Sequence, residues 1–161
     1  MIKSINTLTA YNLWANKKIA HWLLSNEPEK LIAICKSSFS TVERTVNHMW
    51  DAQNFYLSIL RQIPFDKNWD GTSKSAISGL VEQSKDFMEY TARLDIIELT
   101  EVRTVETKTL SGTFDQYQLI QHCMNHSTFH RGQIITMGHQ LELTKAPSTD
   151  LFNYLNESPR M

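Results

Sequence analysis

The chain has 161 residues, 41% hydrophobic and 20% charged, which suits one folded domain rather than a disordered segment. Sixteen basic and 17 acidic side chains give a formal net charge of −1. That balance, with no basic stripe, argues against a nucleic-acid partner. Two cysteines, Cys35 and Cys123, lack the spacing of a disulfide scaffold or a metal knuckle. No apolar run is long enough to span a membrane, and the N-terminus lacks the pattern of a secretory signal, so the expectation is a cytoplasmic protein.

No repeat or linker divides residues 1–161. The first element runs from about Ile5 to Leu24. Leu8, Tyr11, Ala15, Ile19 and Trp22 recur at three- and four-residue steps and form an apolar stripe. "SNEPEK" interrupts it, with Pro28 as a plausible stop. The second element starts near Ser40, where "STVE" reads as a capping box pairing Ser40 with Glu43. His48, Ala52, Phe55, Tyr56 and Ile59 then share a face expected to look into the protein. A loop, "PFDKNWDGTS", follows. The third element covers about Ser75 to Leu94, with Ile77, Leu80, Val81, Ser84, Phe87, Met88 and Thr91 tracing its stripe. The β-branched "ELTEVRTVETKTLSGTF" predicts a short hairpin or extended excursion. The fourth element begins at "TFDQ", another capping-box pattern through Thr113 and Gln116, and reaches about Leu141. A short terminal helix capped by Thr149 or Asp150 closes the chain. Four helices of this length and little strand predict an all-α four-helix bundle.

The fourth helix carries "QHCMNHSTFHRGQ", which holds three of the six histidines: His122, His126 and His130. Residues four apart on a helix stand over one face, so His122 with His126, or His126 with His130, can close on one ion. His122 and His130 lie about 12 Å apart along the axis and diverge by about 80°. Two nitrogens on one zinc are at most about 4 Å apart. A third ligand is therefore sought on another helix, and His48 on the second helix supplies it. Three imidazoles leave coordination positions open, the pattern of a catalytic or substrate-binding metal rather than a closed structural one.

Other candidates read more plainly. His21 and His139 have no partner at ligand spacing, and Cys123 reads as a buried structural cysteine. Gln133, one turn beyond His130, is placed to support a ligand by hydrogen bonding. Arg131 either binds a carboxylate near the site or faces solvent. No paired carboxylates, nucleophile motif or phosphate loop is present, and no general base can be picked out.

Four stretches then resemble the DinB family in order: "YNLWANKKI" (Tyr11 to Ile19), "TVNHMWDAQNFYL" (Thr45 to Leu57), "NHSTFHRGQI" (Asn125 to Ile134) and "APSTDLFNYL" (Ala146 to Leu155). The broader superfamily includes the YfiT-like bacillithiol transferases and the mycothiol-dependent maleylpyruvate isomerases. The resemblance implies an up-down-down-up four-helix bundle and a homodimer. It implies a divalent metal on His48, His126 and His130, and so selects His130 over His122. It leaves His122 and Gln133 as supporting residues. Zinc or nickel leads as the metal, with copper, iron or manganese behind. The implied activity is a metal-dependent thiol transferase or hydrolase acting on a small molecule, such as a low-molecular-weight thiol. The alternatives are a non-catalytic metal- or ligand-binding protein and a dimeric helical module whose histidines are structural.

Overall fold

In the computed structural model, which describes residues 1–66, 71–107 and 111–158, the first apolar stripe becomes helix α1, Ile2–Leu24. It starts three residues earlier than the stripe suggests. Pro28 is not a stop but the first residue of a short helix, α2 (Pro28–Leu31), where its missing N–H costs nothing. Helix α3 spans Val42–Arg61, and its cap is Thr41 rather than Ser40: Thr41 Oγ1 accepts the Arg44 N–H at 3.1 Å. Glu43, freed from the expected box, accepts instead from the Ser73 hydroxyl. Helix α4 covers Ser73–Thr91, capped by Thr72.

The excursion divides in two. Its start forms helix α5, Ile96–Thr100, with a capping box between Asp95 and Glu98. The rest is an antiparallel hairpin of β1 (Val102–Glu106) and β2 (Ser111–Asp115), registered from Val102 opposite Asp115 to Glu106 opposite Ser111. Helix α6, Gln116–Gln140, follows directly. Its start is set by Asp115 and Gln118 rather than Thr113 and Gln116, with the Asp115 N–H donating to Gln118 Oε1 at 3.0 Å. Asp150 caps the last helix, α7 (Leu151–Glu157), by accepting the Phe152 N–H at 2.7 Å.

The four long helices pack in a closed ring, α1 against α4, α4 against α3, α3 against α6, and α6 against α1. Cross-helix pairs give their senses. Thr9 meets Thr91 and Asn16 meets Ser84, so α1 and α4 are antiparallel. Thr45 meets Met137 and His48 meets His126, so α3 and α6 are antiparallel. Gln53 pairs with Ser84 and Leu60 with Tyr90, so α3 and α4 are parallel. Asn12 bonds Arg131 while Trp22 lies over Gly138, so α1 and α6 are parallel. A Cβ on Gly138 would meet the Trp22 ring at 2.4 Å, so only glycine admits the indole there. Among the described residues, no helix is long and apolar enough to cross a membrane.

The apolar core falls into two clusters. One gathers Ile19, Trp22, Met49, Leu80, Ile134 and Met137; the other gathers Ile5, Leu57, Leu60, Phe87, Ile120 and Met124. Between them lies a buried polar layer drawn from all four long helices: Asn12 and Asn16, Gln53, Ser84 and Arg131. Asn12 donates to Gln53 Oε1 at 3.2 Å, and Ser84 Oγ donates to the same oxygen at 3.1 Å. Arg131 is 1% exposed and donates to Asn12 Oδ1 at 2.7 Å, Asn16 Oδ1 at 3.0 Å and Thr128 Oγ1 at 2.8 Å. It thus neither binds a carboxylate nor faces solvent. A buried charge needs partners. Two amide oxygens and a hydroxyl meet the terminal nitrogens and the Tyr11 ring lies 5.2 Å from the guanidinium carbon, while Nε has no hydrogen-bond partner among the described residues.

The core face of α3 also differs from the expected one. Val46, Met49, Gln53, Leu57 and Leu60 point inward with Tyr56, while His48, Ala52, Phe55 and Ile59 sit half-buried along the edge. The helix carries two adjoining stripes, and the aliphatic one, Val46, Met49, Leu57 and Leu60, fills the interior. This leaves His48 at a rim that opens outward.

Candidate metal centre

Three histidines meet where α3 crosses α6. His48 Nε2 and His130 Nε2 each lie 3.1 Å from His126 Nε2, and the three ligand atoms all fall within 4.8 Å of one another. His126 and His130 come from adjacent turns of α6, and the antiparallel packing of α3 brings His48 over them.

The tautomer of His130 follows from its support. Gln133 Nε2 donates to Ser38 Oγ at 2.8 Å, which turns its Oε1 toward His130 Nδ1, also 2.8 Å away. Gln133 Oε1 only accepts, so Nδ1 holds the proton and Nε2 presents its lone pair to the cluster. His126 Nε2 has at most one proton to share between two neighbours at equal distance. One contact in the cluster therefore goes without a hydrogen bond of its own, a deficit a cation would resolve. Nitrogens at about 2.0–2.1 Å on a tetrahedral ion stand roughly 3.3 Å apart, close to the observed spacing.

Burial favours the neutral form of two of these rings. Burial lowers the pKa of His126 to about 4, helped by the neighbouring His130, His48 and His122 imidazoles. Burial also lowers His130, opposed by its bond to Gln133. A neutral imidazole is the form that ligates, so at neutral pH no proton need be displaced from these two rings.

The other sequence candidates lie outside the cluster. His122 is exposed, with its ring 5.3 Å from Tyr56 and 6.2 Å from His126. His21 and His139 are exposed. Cys123 is fully buried and burial raises its pKa, so it remains a thiol in the core.

Three features escaped the sequence reading. Phe39 packs its ring 4.6 Å from His48 and 5.8 Å from His130, and Ser38 anchors Gln133. Both lie in the connection before α3, where no periodicity assigns a direction. Asp51 lines a cleft of about 320 Å³ beside the cluster, together with His48, His126, Ala52, Phe55, Tyr56 and Phe65. Its signal was present: Asp51 is three residues after His48, on the same side of α3. A larger groove of about 680 Å³ lies along α1 and the tail, around Trp14, Lys17 and Lys145, and includes none of the three histidines.

The DinB family model matches residues 1–161. The chain belongs to the DinB family. The crystal structure of a DinB-like protein from Bacillus cereus ATCC 10987 superposes with a TM-score of 0.68 at 18% identity. The alignment covers 86% of this chain and 91% of that one. At that identity the likeness is one of fold. No curated protein matches this chain. Membership in the DinB family and the clustered histidines are together compatible with metal binding.

Proposed function

We propose that this DinB-family chain is a divalent-metal enzyme of up-down-down-up four-helix-bundle architecture, with His48, His126 and His130 as the metal ligands. It acts on a small molecule as a thiol transferase or hydrolase. The pairings of α1, α3, α4 and α6 support the architecture. The observation that carries the function is the convergence of three imidazole Nε2 atoms from two helices beside an open cleft.

When bound, a divalent ion supplies Lewis acidity, which brings a water or a thiol toward deprotonation near neutral pH. The protein's own part is to present three imidazoles, with no fourth ligating side chain grouped with them among the described residues, and to hold His130 in one tautomer through Gln133. Phe39 limits water on one side of His48, and the cleft receives the reactant on the other. Zinc or nickel fits three imidazoles best, with iron or manganese as further occupants.

The reading includes a homodimer in the cytoplasm. Exposed apolar side chains such as Ile34, Ile97 and Phe152 give the surface something to cover. Light scattering at micromolar concentration is expected to give twice the 18.7 kDa chain mass, and a monomer throughout removes that part.

The test of function is elemental analysis of protein purified without an affinity tag, followed by a screen of thiols and electrophiles with that metal restored. About one ion per chain and turnover that stops on chelation are expected. Metal without turnover would reduce the protein to a binding role, and no metal would remove the reading.

A further inference from the structure

The cleft next to the histidines is unusual in what surrounds it. Four of the chain's seven phenylalanines stand around the cluster: Phe39, Phe55, Phe65 and Phe129. Phe87 alone among the seven is fully buried in the core. Phe65 is 42% exposed and Phe129 61% exposed, although a buried ring is worth far more to folding than an exposed one. Phe55 stands edge-on to Phe65, with centroids 5.7 Å apart and planes at 87°, and is edge-on to Tyr56 at 5.4 Å. Ala52, on the turn between His48 and Phe55, is small enough to leave the floor open. The cleft thus has histidine nitrogens at one end, the rings of Phe55, Tyr56 and Phe65 along its walls, and the Asp51 carboxylate as a further polar lining group. Its volume of about 320 Å³ suits a small molecule of one or two rings.

We propose that this cleft is a subsite for a planar aromatic group, so that the substrate is a small aryl compound whose reacting atom lies at the histidine end. The inference rests on the metal reading above and adds the substrate class. The ring stacks against Phe65 and Phe55 in the offset or edge-on geometry that aromatic pairs prefer. Its burial withdraws apolar surface of both partners from water, which accounts for the exposure of Phe65 before binding.

The test compares two probes that share one metal-binding group. Benzohydroxamate carries a ring and acetohydroxamate a methyl group. Titrated calorimetrically into zinc-loaded protein, benzohydroxamate is expected to bind at least about ten-fold tighter, the discrimination that one buried ring supplies. Phe65→Ala changes an exposed loop side chain and should fold normally. It should cut the preference below about three-fold while leaving acetohydroxamate affinity and zinc content unchanged. Phe55→Leu, which keeps apolar bulk, should lower it in the same direction. Equal binding of the two probes to zinc-loaded wild type overturns the subsite, as does a preference that survives both substitutions. Zinc content measured on the same samples separates the two failures. Protein that takes up no zinc and binds neither probe overturns the metal reading and the subsite with it.

Discussion

At the scale of single residues, the cluster depends on groups that set its protonation rather than on the ligands alone. Gln133 fixes His130 in the tautomer that points a lone pair inward. Gln133→Leu should weaken metal affinity by about 10–100-fold without abolishing it, the usual effect of losing a partner behind a ligand. Competition titration against a chelator measures this, and an unchanged affinity would mean His130 needs no such support. His126 predicts a pH effect on the metal-free protein. Its folded pKa of about 4 lies below the ordinary histidine value of 6.5. Between those values the unfolded chain binds more protons than the folded one, so stability is complete above about 6.5 and falls as pH drops toward 4. Urea midpoints across that window should decline for the wild type and decline less steeply for His126→Gln. Parallel slopes would place the effect elsewhere.

At the scale of elements, the site exists because α3 and α6 run antiparallel and the buried polar layer fixes how α6 sits on α1. Asn16 accepts from Arg131 at 3.0 Å and donates to Ser84 at 2.9 Å, tying three helices at one level. Asn16→Leu strands one donor of a buried guanidinium and should cost about 1.5–3 kcal/mol in urea denaturation, the range for hydrogen bonds to charged groups. A change within experimental error would mean that the layer relaxes around the loss. The layer also shows where sequence reading stops. The 3.6-residue stripes disclose α1, α3, α4 and α6, because the hydrophobic effect acts on whole faces and writes itself into periodicity. Asn12, Asn16 and Gln53 are polar residues among those stripes, and nothing local marks Asn12 and Asn16 as partners of Arg131, 119 and 115 residues away in chain order, or Gln53 as the partner of Asn12 and Ser84. The caps at Thr41 and Asp115 were missed by one and two residues, since several neighbouring hydroxyl and carboxyl groups fit the same pattern.

At the scale of the whole molecule, the candidate site joins residues 78 positions apart, His48 and His126, and its third member follows one turn later. Helical spacing made two pairs on α6 equally acceptable. Packing distinguishes them: His130 faces His48 across the helix crossing, whereas His122 is exposed, with its ring tilted against Tyr56. Phe39, Ser38 and Phe65 reach the cluster from connecting segments, which carry no period to read. The central claim is that three named histidines hold one metal ion. Its most direct test is metal stoichiometry on four alanine variants, each first checked for helical content by circular dichroism. His48→Ala, His126→Ala and His130→Ala should each lose most of the bound metal, while His122→Ala should keep about one ion per chain. Retention of metal by all four variants, or its loss from His122→Ala with retention by His130→Ala, would contradict the account.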